Sequence, residues 1–443
     1  MVPTPRPSDG LCSLDFDREI GNHSLAPAFV SGAFSSAERS ASPPRRPSIT
    51  RAGEDPMSLA GSRTLDAEVS TGLRSDLGFL LTIFVLGRIF LFACAVLGSR
   101  DAPVAEGATI AQAMCTWDCN WYIDLAEDGY SGRTDVDASA LSNWAFFPVL
   151  PLLVRAASAL TGADTTLAGV VVANLLSAAG LLLFHRYARH LFGRDFARFA
   201  AVIFVVWPFA IHASVPMSEA VFVPVSLLTL LAARRGHWLV AGVAAAVLSG
   251  TRAVGVLVFL PMALLAVRQY GFTRLIGLRP GTERAVLALA LSGLGLGLFM
   301  VYLHFRVGDA LAFSHDQTAW NRRFVWPWMM IFDTLVPHAQ TTATLLVNAA
   351  IVATVAAGLA AAVMCWRRGL APEALFAAAP LVVALNSGSV MSLPRFVGSL
   401  FPVVLALALV ADRPRWRIAV VGVCVVLQVV ATVGWVEEWY YVM

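Results

Sequence analysis

The run GFLLTIFVLGRIFLFACAVLG at residues 78–98 is apolar almost throughout. About 20 such residues wound as a helix cross the roughly 30 Å hydrocarbon core of a bilayer, and the run shows no alternation that would suggest a strand. Ten further apolar runs follow, near 166–184, 199–215, 218–233, 238–250, 253–267, 285–304, 341–364, 371–388, 395–411 and 418–435. The expected fold is therefore an all-α polytopic membrane protein, a bundle of about eleven transmembrane helices. The segments 238–250 and 253–267 are short, which implies tilted or broken helices; non-helical backbone at that depth is tolerated where it is buried in protein or lines a cavity.

Composition agrees. Of 443 residues, 58% are hydrophobic and 14% charged, and the mean hydropathy is +0.70. An ordinary soluble domain is nearer a quarter charged, so a soluble enzyme is excluded, as is a disordered or fibrous protein. The net charge of +3 is too small and scattered to point to nucleic acid. Residues 1–76 differ: rich in Ser, Pro, Gly, Arg and Ala and without periodicity, they read as a disordered cytoplasmic tail. They lack the apolar core of a signal peptide, and Met57 offers an alternative start, leaving 77–443 as the membrane domain.

Every basic residue is Arg, and the arginines set the orientation. With the N-terminus inside, the inner loops carry Arg186, Arg189, Arg194 and Arg198, then Arg234 and Arg235, then Arg268, Arg274, Arg279 and Arg284, then Arg367 and Arg368, then Arg413, Arg415 and Arg417. The alternation has one exception, Arg322 and Arg323 in an outer loop. Two outer loops are long, 99–145 and 305–340, and loops of that length are commonly functional. The polar chemistry of the chain concentrates there.

The first outer loop contains CTWDCNWYIDLAEDGY, residues 115–130. As a helix it places Asp118, Trp121, Tyr122, Leu125 and Gly129 on one face and Asn120, Asp124 and Glu127 on the other. Trp and Tyr suit the membrane–water boundary. One reading is an interfacial anchor whose Asp118 caps the helix. The other is a carboxylate held beside aromatic rings for a substrate half in lipid and half in water. Asp124, Glu127 and Asp128 read as a solvated face. Six cysteines are too few and dispersed for a disulfide framework. Cys94 and Cys424 read as buried fillers. Cys115 and Cys119 can pair only if their loop meets an oxidising compartment, and two free thiols are the expectation. No metal-ligand spacing is present, so no metal site is expected.

The pattern Trp-Asp-x-x-Trp-Tyr-x-x-x-Ala-Glu-Asp-Gly-Tyr at 117–130 resembles the signature loop of the PIG-V-like mannosyltransferases, membrane glycosyltransferases of the GT-C class. Weaker similarities follow in order: Ala145 to Arg155 (AFFPVLPLLVR), Pro216 to Phe222 (PMSEAVF), Thr251 to Gly255 (TRAVG), Gly308 to Phe313, Gln317 to Trp320, Leu393 to Phe396 (LPRF) and Phe401-Pro402. They cover about 117–402. Cys119 and Met217 depart from the family pattern; neither removes a titratable group.

The resemblance implies a GT-C-like bundle in the plasma membrane, its active site on the outer (periplasmic or extracellular) face. It implies mannose transfer from polyprenyl-phosphate mannose to a glycolipid or glycan hydroxyl, with the lipid-linked sugar as substrate, no cofactor, and divalent-metal dependence left open. A phosphate leaving group needs no strong general acid, so one carboxylate, Asp118, suffices as base; direct displacement inverts a β-linked donor to an α-mannoside. Trp117, Trp121, Tyr122, Glu219, Arg252, Gln317, Trp320 and Arg395 are the candidate substrate-binding residues. Arg252 and Arg395 stand between apolar runs near the outer face, where an unpartnered Arg costs about 2.5–3.5 kcal/mol. Each holds either the carrier phosphate or an internal acid such as Glu219 or Asp309. Glu219 either binds sugar hydroxyls or belongs to a helix N-terminus capped by Ser218. His185, His190 and His237 read as inner-loop residues. A lipid or sugar transporter is the alternative, since intramembrane Arg and Glu also mark substrate paths; the sequence shows no inverted repeat. A noncatalytic scaffold leaves the acidic, aromatic outer loop unexplained.

Overall fold

The structure is a computed structural model, and it describes residues 58–100, 108–130, 142–319, 322–336, 341–390, 392–411, 413–439 and 441. The chain divides into two units, Met1–Ser62 and Arg63–Met443. Of the first, only the opening turn of a helix lies among the described residues; the helical bundle belongs to the second. Residues 1–57 of the expected tail lie outside the described residues. Residues 58–76, which the sequence assigns to the same tail, fall in the first part of α1, which runs Ser58–Gly98. No proline follows Pro56 in this stretch, and a helix nucleated in the apolar span propagates backward at little cost.

All described secondary structure is helical. After α1 come two short helices of the 99–145 loop, α2 (Ile110–Met114) and α3 (Asp118–Glu127), then α4 (Val149–Thr161), α5 (Thr165–Phe192) and α6 (Arg194–Val205). The middle of the chain forms α7 (Ser218–Arg234), α8 (Trp238–Ser249), α9 (Phe259–Tyr270), α10 (Phe272–Ile276), α11 (Glu283–Leu291) and α12 (Leu294–Val307). The 305–340 loop carries α13 (Ala312–His315) and α14 (Pro327–Leu335), and the chain continues through α15 (Thr342–Arg367), α16 (Ala371–Leu385), α17 (Leu393–Gly398), α18 (Phe401–Val410) and α19 (Pro414–Val436).

Six stretches are long and apolar enough to cross a membrane: 76–98, 165–192, 253–270, 283–307, 344–367 and 414–436. Four apolar helices are shorter: α4, α8, α16 and α18. Several expected spans are thus interrupted. The 199–215 run is cut after Val205, where Pro208 follows, and continues as a 3₁₀ turn at Ala210–Ala213. The 395–411 run breaks between Gly398 and Phe401, with Pro402 in the first turn of α18. The 253–267 run opens as a 3₁₀ segment, Ala253–Val258. A proline removes a backbone donor and clashes with the preceding turn, so the apolar pattern survives where the helix does not. Conversely, α4 lies outside the expected spans. Pro148 and Pro151 give its sequence the look of a loop, yet Pro148 is its N-cap and Pro151 falls in its first turn, where a missing N–H costs nothing.

α5 packs on α6 and α7, α7 on α8, and α15 on α16, around a core that includes Phe184, Phe222, Trp238, Phe376 and Phe401. At the arginine-rich end, buried Asp76 accepts from Arg189, Arg194 and Arg198, each at 2.9 Å. Fully buried Glu373 on α16 takes Arg234 of α7 and the Tyr187 hydroxyl of α5. His185 and His190 lie within α5, not in a loop, because that helix continues past the apolar run to Phe192. α8 and α12 meet at glycine: a Cβ at Gly295 would stand 2.1 Å from the Ala246 carbonyl oxygen and 2.9 Å from the Gly250 Cα. Backbone cannot yield as a side-chain tip does. Gly295→Ala is therefore expected to destabilise by about 1–3 kcal/mol, read as a lower melting temperature of the purified protein in detergent; an unchanged midpoint would show that the helices part freely here.

Candidate functional site

α3 is fixed at both ends. It starts directly after Trp117, which has φ 56° and ψ −130° and provides no side-chain cap. The reversal between α2 and α3 brings the Cα atoms of Cys115 and Cys119 to 5.2 Å, and the two form a disulfide. The expectation of free thiols is thereby corrected: a spacing of four reads as too local in sequence, but the turn at Trp117 gives the separation a bridge requires. Thr116 Oγ donates to the Trp435 carbonyl at 3.1 Å, and Trp435 Nε1 donates to the Met114 carbonyl at 2.8 Å, tying the turn to α19. At the far end Arg155 of α4 donates to the carbonyls of Ala126 (2.6 Å) and Glu127 (3.1 Å). Asn120, Asp124 and Glu127 are exposed and Tyr122 and Leu125 buried, the two faces expected of this helix.

Asp118 does not cap α3. Its Oδ2 accepts from Arg395 Nη1 at 2.7 Å. Arg395 is buried on α17, and its Nε lies 3.2 Å from Glu219 Oε1. The same Oε1 accepts from Arg252 Nη1 at 2.8 Å. Four charged side chains from four separate segments thus form one chain: Asp118, Arg395, Glu219, Arg252. Both arginines therefore meet internal acids, and both also border a cavity. Ser218 is the first residue of α7 and does not cap it; its hydroxyl donates to Glu219 Oε2 at 3.3 Å, so Glu219 is held by the arginines and by groups at the helix terminus together. The Arg252 guanidinium also lies over the Phe396 ring, 4.5 Å from its centroid, a cation–π contact.

These groups border a cavity of about 270 Å³ lined by Asp118, Tyr122, Arg252, Gln317, Arg322 and Arg395, with Phe146, Phe147, Phe222, Phe313 and Phe396 as apolar walls. Glu219 stands behind the arginine pair. Trp117 and Trp121 are not among the lining residues. Trp121 stacks on Phe146 with ring centroids 5.5 Å apart, backing the cavity wall, and Trp117 packs into the cluster that contains Met114 and Trp435. Trp320 lies outside the described residues.

Arg322 is the residue that sequence reasoning missed. Among the described residues its side chain has no ion pair, and its Nε is buried without a hydrogen-bond partner. Burial, with the positive charges of Arg395 and Arg252, draws its pKa below the usual arginine value. The site therefore sets three guanidiniums against two carboxylates, and the surplus cation is Arg322. A signal for it existed: Arg322 belongs to the one outer loop that broke the alternation of arginines. Burial pushes the Tyr122 hydroxyl up to about 12, which keeps it a neutral hydrogen-bonding group near pH 7. The 99–145 and 305–340 loops are joined by Ser142 Oγ donating to Asp316 Oδ1 at 2.7 Å.

The chain matches no family model and no curated protein. Among solved structures it is similar to ArnT from Cupriavidus metallidurans in the apo state, with a TM-score of 0.45 and 16% identity, over 77% of this chain and 61% of that one. The same enzyme bound to undecaprenyl phosphate gives 0.45 and 15%, over 76% and 61%. The archaeal oligosaccharyltransferase AglB from Archaeoglobus fulgidus, in complex with an inhibitory peptide and a dolichol-phosphate, gives 0.45 and 13%, over 82% and 56%. The chain thus spans about three fifths of the length of ArnT and somewhat over half that of AglB.

The cavity offers three chemical capacities. Asp118 lines the cavity, and only its Oδ2 has a hydrogen-bond partner among the described residues, which leaves Oδ1 as a free acceptor. Arg322 offers donors to an anion. Between and around them, Gln317, Tyr122 and the phenylalanine walls present a mix of polar points and apolar faces.

Proposed function

We propose that this protein is a GT-C-type membrane glycosyltransferase that moves mannose from polyprenyl-phosphate mannose to a hydroxyl of a glycolipid or glycan on the outer face of the plasma membrane. The observation that carries the reading is the meeting, in one cavity, of a carboxylate with one oxygen unengaged and a half-buried guanidinium that makes no ion pair among the described residues. The acceptor hydroxyl gives its proton to Asp118 Oδ1 as its oxygen bonds to the anomeric carbon; the bond from that carbon to the phosphate oxygen breaks, and the electron pair leaves on the phosphate. Arg322, with Arg252 beside it, stabilises the charge that grows on the leaving group. The displacement inverts the anomeric centre. Mannose as the sugar is supported by the resemblance of the motif at Trp117 to Tyr130 alone. The Cys115–Cys119 disulfide supports an outward, oxidising exposure of this loop.

The test is to incubate purified protein with labelled polyprenyl-phosphate mannose and a membrane lipid extract. Label is expected to appear in a glycolipid or lipid-linked glycan as an α-mannoside. Movement of intact donor between leaflets, with no sugar transferred, would overturn the enzyme reading in favour of transport. Orientation has its own test. In a Cys12→Ser background, the remaining free cysteines Cys94, Cys365 and Cys424 are buried. Asp124→Cys should react with an impermeant maleimide on intact cells, and Arg235→Cys, also exposed, only after permeabilisation; the reverse pattern would put the site on the cytoplasmic side.

A further inference from the structure

We infer that the Cys115–Cys119 disulfide is a positioning device for Asp118, an inference that rests on the proposed role of Asp118 as base. The bridge encloses three residues, Thr116, Trp117 and Asp118, so the carboxylate sits at the last link of a closed ring. Three observations show why α3 needs it. First, its N-terminus has no side-chain cap, and uncapped first turns fray. Second, Trp117 adopts a positive φ of 56°, which non-glycine residues hold only when their surroundings impose it. Third, the Asp118 carboxylate is drawn toward Arg395 at 2.7 Å, a pull that would carry an unfastened first turn into the ion pair and swing Oδ1 out of line with the cavity. Cys119 is fully buried and Cys115 nearly so, which anchors the ring against the core. The Thr116 and Trp435 hydrogen bonds hold the outer side of the turn; the disulfide holds the inner side, next to the reacting atom. Asp118 is thus held both by a covalent ring at its backbone and by an arginine at its carboxylate.

The donor is bound elsewhere, at Arg252 and Arg322, so opening the ring should act on turnover and spare donor affinity. Cys115→Ala combined with Cys119→Ala is expected to lower kcat by about 10–100-fold, the range for a catalytic group displaced by up to 1 Å, with KM for polyprenyl-phosphate mannose within about twofold of wild type. Adding Asp118→Asn to the alanine pair should give a rate no lower than Asp118→Asn alone, because a staple that works through Asp118 has nothing left to align. Losses that multiply instead would show a general structural defect and overturn the inference. Against failure of the alanine pair to fold, wild-type enzyme is purified oxidised and then reduced with a phosphine, with bridge opening confirmed by mass; the same kcat-only loss is expected, and an unchanged rate overturns the inference. Slow Asp118→Asn with a fast alanine pair would sink the staple alone. Normal turnover in Asp118→Asn would sink base and staple together.

Discussion

Asp118→Asn is expected to reduce sugar transfer by about 10²–10⁴-fold, the range for removing general-base catalysis, while expression and donor binding stay close to wild type. The geometry explains why the effect should be confined to the chemical step. The amide oxygen can take the place of Oδ2 in accepting from Arg395, 2.7 Å away, and Arg395 keeps its contact with Glu219 at 3.2 Å. The ion-pair chain therefore survives with one charge fewer, and the NH₂ group turned toward the cavity cannot accept a proton. Asp124→Asn and Glu127→Gln should retain most activity, since both side chains lie on the exposed face of α3. Near-normal turnover in Asp118→Asn would transfer the search for the base to Glu219.

The second large effect belongs to Arg322. Removing one partner of a buried charge-assisted contact costs about 2–5 kcal/mol, so Arg322→Ala should weaken donor binding by at least about 30-fold, measured as KM for polyprenyl-phosphate mannose or by direct titration with the unglycosylated carrier phosphate. Arg322→Lys should recover part of the loss, because a point charge lacks the planar fork. Donor affinity unchanged in Arg322→Ala would move phosphate recognition to Arg252. Arg395, an equal candidate on sequence grounds, is a poorer probe. Both of its carboxylate partners are in place, and stripping a buried pair of one member destabilises by about 3–5 kcal/mol. Arg395→Ala is thus expected to reduce the amount of folded protein before it reports on any ligand.

The all-helical, membrane-spanning character was legible because it follows from apolar length, which any single window reveals. The two faces of α3 were legible for the same reason: exposure of Asn120, Asp124 and Glu127 against burial of Tyr122 and Leu125 is local periodicity. The hidden features depended on distant partners. That Arg252 and Arg395 share Glu219, and that Arg395 also reaches Asp118, joins positions up to 277 residues apart, and no local pattern encodes such a pairing. The disulfide failed for a related reason, since it depends on one residue, Trp117, taking a backbone conformation its type rarely adopts. Trp117 and Trp121 were assigned to the substrate by their aromatic character, whereas packing uses both as support. Arg322 was visible only as a misfit. Its position at the cavity, beside Arg252 and Arg395, depends on the same long-range packing and could not be read from the loop alone.

The clamp between Trp435 and the turn at residues 114–116 spans 319 and 321 positions, and this has a bearing on biogenesis. The bridge between Cys115 and Cys119 is local and can close as soon as its loop is translocated. The residues that complete the surroundings of Asp118, first Arg395 and then Trp435, are polymerised much later. At roughly 5–20 residues per second, some 15–60 seconds separate the emergence of the loop from that of its last anchor. Throughout that interval the nascent protein carries a cross-linked but unanchored turn, and the helices inserted first must wait for the last one before a working centre exists. An insertion defect confined to α19 would for this reason appear as an inactive outer loop more than three hundred residues upstream.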